Sequence, residues 1–146
     1  MSNNTITAAD AIITLSVINL YPSGVQLQDF AADNVYGTDA LVLAETVRGA
    51  DGKLSAGFIC GNISQTFHIM PDSASRDVFD TWAAISRASV AVFRCNATVV
   101  LPALKRQYKC VNGVLKQWKA LPDAARILQA SQAIIEWESI TAEAFN

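Results

Sequence analysis

At 146 residues the chain has the size of a single domain, and it is 51% hydrophobic and 16% charged, against about 25% charged in ordinary soluble domains. A net charge of −2 without a basic stripe argues against tight duplex binding, which draws on several phosphate contacts. Mean hydropathy is +0.25, yet no uninterrupted run of about 18 apolar residues is available to cross a membrane. The excess apolar surface therefore points to a large subunit interface, which resembles a core cut in half, rather than to a well-filled core alone.

Met1-Ser2-Asn3-Asn4-Thr5 lacks the basic start and apolar stretch of a signal peptide, so no leader is expected. Ala11 to Leu20 reads as a strand, with Ile13, Leu15 and Val17 opposed to Thr14 and Ser16. Tyr21-Pro22-Ser23-Gly24 reads as a turn, and Val25 to Phe30 as the second strand of a hairpin. Ala31 to Asp39 follows as a loop without a clear period, longer than the usual ~4–6 residues.

Leu41 to Arg48 and Lys53 to Cys60 flank a Gly49-Ala50-Asp51-Gly52 turn. Leu54, Ala56, Phe58 and Cys60 alternate with Ser55, Gly57 and Ile59. In Asn62 to Met70, Ile63, Phe67 and Ile69 oppose Asn62, Ser64, Thr66 and His68. A period of two places successive side chains on opposite faces of a strand, so this region reads as the middle of an antiparallel sheet.

One amphipathic helix is expected over about residues 72–87, started by Asp72 or Ser73 as cap. Val78, Phe79, Trp82 and Ile85 form its packed face, and Arg76, Asp77, Asp80 and Thr81 its polar one. Ser89 to Leu101 returns to β character, with a turn at Pro102-Ala103. Leu104 to Val111 alternates again. Asn112-Gly113 marks a hairpin or a bulge within one long strand. Leu121-Pro122-Asp123 is a break. Ile127 to Ser139 is compatible with a helix, but a long terminal strand is the preferred reading, with Ile135 and Trp137 opposed to Ile134, Glu136 and Glu138.

No constellation for chemistry is evident, and no catalytic, cofactor-binding or metal residues are assigned. His68 is the single histidine and stands on the polar face of a strand without a sequence neighbour to form a relay. Cys60, Cys95 and Cys110 are widely spaced and odd in number, which suits buried free thiols better than zinc. Glu136 and Glu138 share a strand face, explained by solvent or an interface. Asp33, Asp39 and Asp51 lack calcium-loop spacing. The basic residues Lys105, Arg106, Lys109, Lys116 and Lys119 read as a solvated sheet face.

Taken together, Arg48-Gly49-Ala50-Asp51-Gly52-Lys53-Leu54-Ser55, the helix near Ser75-Arg76-Asp77-Val78-Phe79, Tyr108 to Lys116, Leu121-Pro122-Asp123 and Ile135-Glu136-Trp137 resemble a bacteriophage tail tube protein. The likeness is greater to the small tube proteins of contractile-tailed phages than to type VI secretion tubes, with Cys60 and Ala91-Val92-Phe93 as departures. The resemblance implies a mainly β fold, an antiparallel sandwich or rolled barrel with one flanking helix, over a single domain of residues 1–146. It implies a non-enzymatic virion protein, made in the bacterial host cytoplasm. Such subunits assemble into stacked hexameric rings that form the hollow tube for DNA ejection.

The alternatives are another assembly module, such as a tail terminator, head–tail joining protein or secretion tube, or a small ligand-binding barrel. The partners implied are further copies of the chain, the sheath protein, the tape-measure protein in the lumen, and baseplate and terminator proteins. DNA is met only in transit, and no membrane or cofactor is involved. The loop and the hairpin tip are the expected inter-ring contacts: Asp33, Asn34, Val35, Tyr36 and Gly37, with Gly49, Ala50, Asp51, Gly52 and Lys53.

Overall fold

The computed structural model describes residues 11–27, 35–59 and 61–144. Asp33, Asn34 and Cys60, with the expected strand beyond Leu27, lie outside the described residues. Ten strands and one α-helix run in the order β1 (Ile12–Val17), β2 (Tyr21–Leu27), β3 (Tyr36–Thr38), β4 (Ala44–Arg48), β5 (Leu54–Phe58), β6 (Ile63–Ile69), α1 (Ser75–Ser89), β7 (Cys95–Leu101), β8 (Arg106–Trp118), β9 (Ser131–Trp137) and β10 (Ser139–Ala144). The fold is mainly β and antiparallel with one flanking helix, as expected.

Eight strands share one hydrogen-bonded system, in the order β2-β1-β7-β8-β9-β6-β3, with β10 also on β8. The long strand β8 organises it. Its first half pairs with β7 and β10, and its second half with β9. β9 in turn carries β6, and β6 carries β3. The ladder thus turns a corner along β8. The two halves face each other, because Ile13, Leu15 and Val17 of β1, Phe67 and Ile69 of β6, and Ile135 and Trp137 of β9 lie in one buried cluster. Strict alternation made these strands: β6 and β9 both read buried at every second residue.

α1 lies against this core through Val78, Phe79 and Trp82, while Ile85 is half-buried. Asp77 in its first turn and Arg87 in its last complement the helix dipole. The rings of Phe79 and Trp118 stack with centroids 5.1 Å apart, and Trp118 Nε1 donates to Asp80 Oδ1 at 2.6 Å. Arg76 sits 5.9 Å from the Trp118 ring centroid and donates to the carbonyls of Pro71 and Ala120. These contacts fix the helix to the end of β8.

Several sequence expectations are corrected. Tyr21-Pro22-Ser23-Gly24 is not the turn but part of β2. The chain reverses at Ile18-Asn19-Leu20, where Asn19 adopts φ 73°. Pro22 is tolerated because β2 is an edge strand. Its neighbourhood holds a bulge, since Leu15 faces Val25 while Val17 faces Tyr21. The expected loop 31–39 contains a strand, β3, whose Tyr36 faces Phe67 of β6. The hairpin β4–β5 is not the middle of a sheet but a separate two-stranded ribbon. The helix begins three residues late: Ser73 Oγ accepts from the Ser75 amide at 3.1 Å inside a preceding turn, so Asp72 and Ser73 precede the helix. It runs on to Ser89 and ends with Val90 in the left-handed region, so β7 starts only at Cys95. Residues 102–104 form a short 3-10 turn, which delays β8 to Arg106. Residues 127–130 are not strand, and β9 begins at Ser131.

Asn112-Gly113 proves to be a bulge within β8. Cys95 faces Gly113 but Ala97 faces Cys110, so extra residues are accommodated on β8. Asn112 takes φ 54°, its amide donates to Asn96 Oδ1 at 2.9 Å, and its side-chain amide donates to Glu138. A Cβ on Gly113 would stand 2.3 Å from Trp137 Cε3. Glycine is therefore required for the indole to lie over the strand. The Trp137 Nε1 donates to buried Gln65 Oε1 at 2.8 Å, which satisfies both polar groups.

Candidate assembly surfaces

The ribbon β4–β5 is the part of the molecule least explained by the fold itself. Every residue from Gly37 to Phe58 is exposed. The strands pair from Ala44 opposite Phe58 to Arg48 opposite Leu54. That register puts Ala44, Leu54, Ala56 and Phe58 on one face with Thr46 and Arg48. The other face carries Glu45, Val47, Ser55 and Gly57. Phe58 is 78% exposed and Val47 65%. Leu41, Val42 and Leu43 lead into the ribbon, all about half exposed or more.

Its tip is tightly built. The Gly49 amide donates to the Lys53 carbonyl at 2.9 Å and the Gly52 amide to the Gly49 carbonyl at 3.0 Å. The Lys53 amide donates to Asp51 Oδ1 at 3.1 Å, and Arg48 donates to the Gly52 carbonyl at 2.9 Å. Gly52 takes φ 85°, which glycine adopts without strain. Asp51 is thus a turn residue first, with its second carboxylate oxygen and Ala50 facing outward.

The other expected contact region is placed differently. Tyr36 is half-buried against the Phe67 ring at 6.1 Å, so Val35, Tyr36 and Gly37 belong to the edge of the body rather than to a projecting loop. Sequence reasoning missed this because three residues are too few to show a period.

β3 borders an apolar cleft of about 250 Å³, lined by Tyr36, Val99, Leu101, Tyr108 and Ile140 with Cys110 beneath them. Burial raises the Tyr36 hydroxyl above its ordinary range, with Tyr108 and Cys110 adding to the effect. Burial likewise pushes the Cys110 thiol up to about 11, and the Cys95 thiol up to about 12 with a contribution from Cys110. Both thiols are free and buried, and inert in this state. No sequence signal announced the cleft, since its lining comes from β3, β6, β7, β8 and β10.

Three of the five residues Lys105, Arg106, Lys109, Lys116 and Lys119 form ion pairs within the chain. Lys109 faces Glu143 at 3.4 Å, Lys116 faces Glu136 at 3.7 Å, and Lys119 meets Asp123 at 2.6 Å. Among the described residues no group of three or more His, Cys, Asp or Glu could hold a metal ion, and no helix is long and apolar enough to cross a membrane.

Comparison with known proteins places this architecture. No curated protein sequence matches the chain significantly. Solved structures do. A chain from the anti-feeding prophage baseplate matches with a TM-score of 0.59 at 10% identity, over 99% of this chain and 98% of that one. A chain from the sheath/tube terminator of PVC, an extracellular contractile injection system, matches with 0.59 at 11% identity, over 99% and 100%. A chain from the sheath–tube complex of the same system matches with 0.55 at 13% identity, over 96% and 92%. At such identities the shared property is the fold. The sequence itself is matched over residues 4–141 by the family model described as tail fiber protein gp32, and the chain belongs to that family.

Proposed function

We propose that the chain is a structural subunit of a phage tail, acting as one tail-tube-like unit over residues 1–146. Copies of it assemble into stacked hexameric rings that form the hollow tube for DNA ejection. The observation that carries this reading is the ribbon: a hairpin exposed on both faces, bearing large apolar side chains, is at best marginally stable in water alone. It calls for a protein partner, and further copies of the chain are the simplest one. Family membership supports a tail-associated structural role, and so does a fold shared end to end with chains of injection-system assemblies.

In this reading the tip Gly49–Lys53 and the Asp33–Gly37 segment contact the next ring. A sheath, baseplate and terminator proteins are the outer and end partners, and a tape-measure protein occupies the lumen until DNA passes. The protein resides in the virion after synthesis in the host cytoplasm, and carries no enzymatic activity. The in-chain pairing of Lys109 with Glu143 supports a channel that does not hold phosphates.

A second reading makes the chain a terminator, baseplate or fiber-associated module. It is favoured by the family's own description, and by a likeness as high to chains from baseplate and terminator structures as to one from a sheath–tube complex. Negative-stain microscopy of the purified protein separates the two. Long tubes support the tube subunit, isolated rings support the second reading, and small monodisperse particles contradict both. Replacing Gly49–Lys53 by a two-residue Asn-Gly turn is expected to leave a folded protein that forms single rings; full-length tubes from that variant would remove the tip from the ring contact.

A further inference from the structure

We propose that the β4–β5 ribbon of one copy docks into the apolar cleft between β3 and β10 of a second copy, with Phe58 as its anchor. The inference rests on the self-assembly reading above and adds which surface receives the ribbon.

The ribbon brings more apolar surface than a lone chain keeps in water. Leu41, Val42, Leu43, Val47, Leu54 and Phe58 are between 49% and 78% exposed. At on the order of 100 Å² each they present roughly 600 Å². A standard stable interface hides about 800 Å² per partner. Leu54 and Phe58 share one face of the ribbon and Val47 stands on the other, so covering this surface takes contact on both sides of the ribbon, and the face of Leu54 and Phe58 is the one that enters the cleft.

The cleft has the matching character. Its volume of about 250 Å³ leaves room for water, against a mostly apolar wall that gives it few partners. Among the described residues no charged side chain lines it. Of its polar lining residues, Gln65 already accepts from Trp137. The chain's own Phe58 stays in solvent and leaves the cleft unfilled.

The backbone complements this. β3 and β10 each pair on one side alone among the described residues, as do β4 and β5. A ribbon entering the cleft thus meets free strand edges able to extend the ladder. Ribbon and cleft are different surfaces of the same chain. Their contact is heterologous, and repeats into a closed ring or an open filament rather than stopping at a dimer.

Site-directed cross-linking tests the pairing. Ala56→Cys, exposed on the ribbon face that carries Phe58, and Ile140→Cys are made in separate preparations that both carry Cys60→Ser and keep Phe58; Cys95 and Cys110 are buried and stay unreactive. The two are mixed, at concentrations where the parent chain assembles, with a short bismaleimide. A cross-linked dimer in the mixture and in neither preparation alone is expected. Three results overturn the proposal: no product, a dimer from Ala56→Cys alone, or a purely intramolecular product in a chain carrying both changes.

Phe58→Ala is the second arm. It should weaken association in sedimentation velocity at least about tenfold while the denaturation midpoint stays put; unchanged association overturns the proposal. The two readings fail separately. A parent chain that never assembles sinks self-assembly itself, whereas normal tubes without the Ala56–Ile140 cross-link sink only the docking.

Discussion

The body and the ribbon of this protein obey opposite rules. In the body β1, β6 and β9 alternate in burial as they alternate in sequence: Ile13, Leu15 and Val17, then Phe67 and Ile69, then Ala133, Ile135 and Trp137 reach 0% exposure. The ribbon has equal alternation and the same kinds of side chain, yet its residues are exposed throughout. Hydrophobic periodicity therefore reports that a face is to be covered, not that the same chain covers it. In β6 and β9 the cover is the opposite sheet and α1. In β4–β5 no described residue of the chain provides it, and in the proposed assembly a second copy does.

Substitutions separate the two regions by size of effect. Trp82→Ala, at a residue 1% exposed, should cost about 3–5 kcal/mol in urea denaturation. A loss below about 1 kcal/mol would mean that α1 is not part of the core that defines the body. Gly113→Ala places a methyl group against the Trp137 ring at the corner of β8 and should cost about 1–3 kcal/mol. A neutral result would show that the bulge can shift away from Trp137.

The body should also lose stability at alkaline pH. The Cys95 and Cys110 thiols are raised from 9.0 to about 12 and about 11 by burial. Below pH 9 both states hold neutral thiols and stability is complete. Above it the unfolded chain ionises first, so stability falls from about pH 9 and keeps falling until the folded thiols ionise too, Cys110 at about 11 and Cys95 at about 12. Urea midpoints at pH 8 and pH 10 check the direction, and replacing both cysteines by alanine should remove this part of the slope. Smallest of all, Val47→Ser or Phe58→Ala in the ribbon should shift monomer stability by less than about 0.5 kcal/mol. A larger loss from either would mean that the ribbon is part of the folding unit and not a surface awaiting one.

Much of the body was legible in the sequence because its faces are cleanly two-sided. β6, β9 and the apolar stripe of α1 all announce themselves by period. Asn112-Gly113 reads first as a hairpin, with a bulge as the alternative, and the structure makes it the bulge. What decided between these two lies elsewhere in the chain: Asn96 and Trp137 meet that dipeptide only in the folded sheet. Tyr21-Pro22-Ser23-Gly24 misled for a related reason. Proline and glycine mark turns in isolation, but an edge strand with a bulge uses both, and Asn19 makes the turn instead. Of the candidate contact residues, the turn made by Gly49–Lys53 is local chemistry and is legible in the sequence. The cleft is not, because five strands build it.

The central claim is that the body is complete in one chain while the ribbon is completed by another. Hydrogen–deuterium exchange read by mass spectrometry, on dilute and on assembled protein, tests it most directly. The account predicts strong protection of Ile63–Ile69 and Ser131–Trp137 in both samples. It predicts rapid exchange of Ala44–Phe58 in the dilute chain, slowed markedly on assembly. Ribbon amides as protected as those of β6 in the dilute chain, or unchanged by assembly, would contradict it.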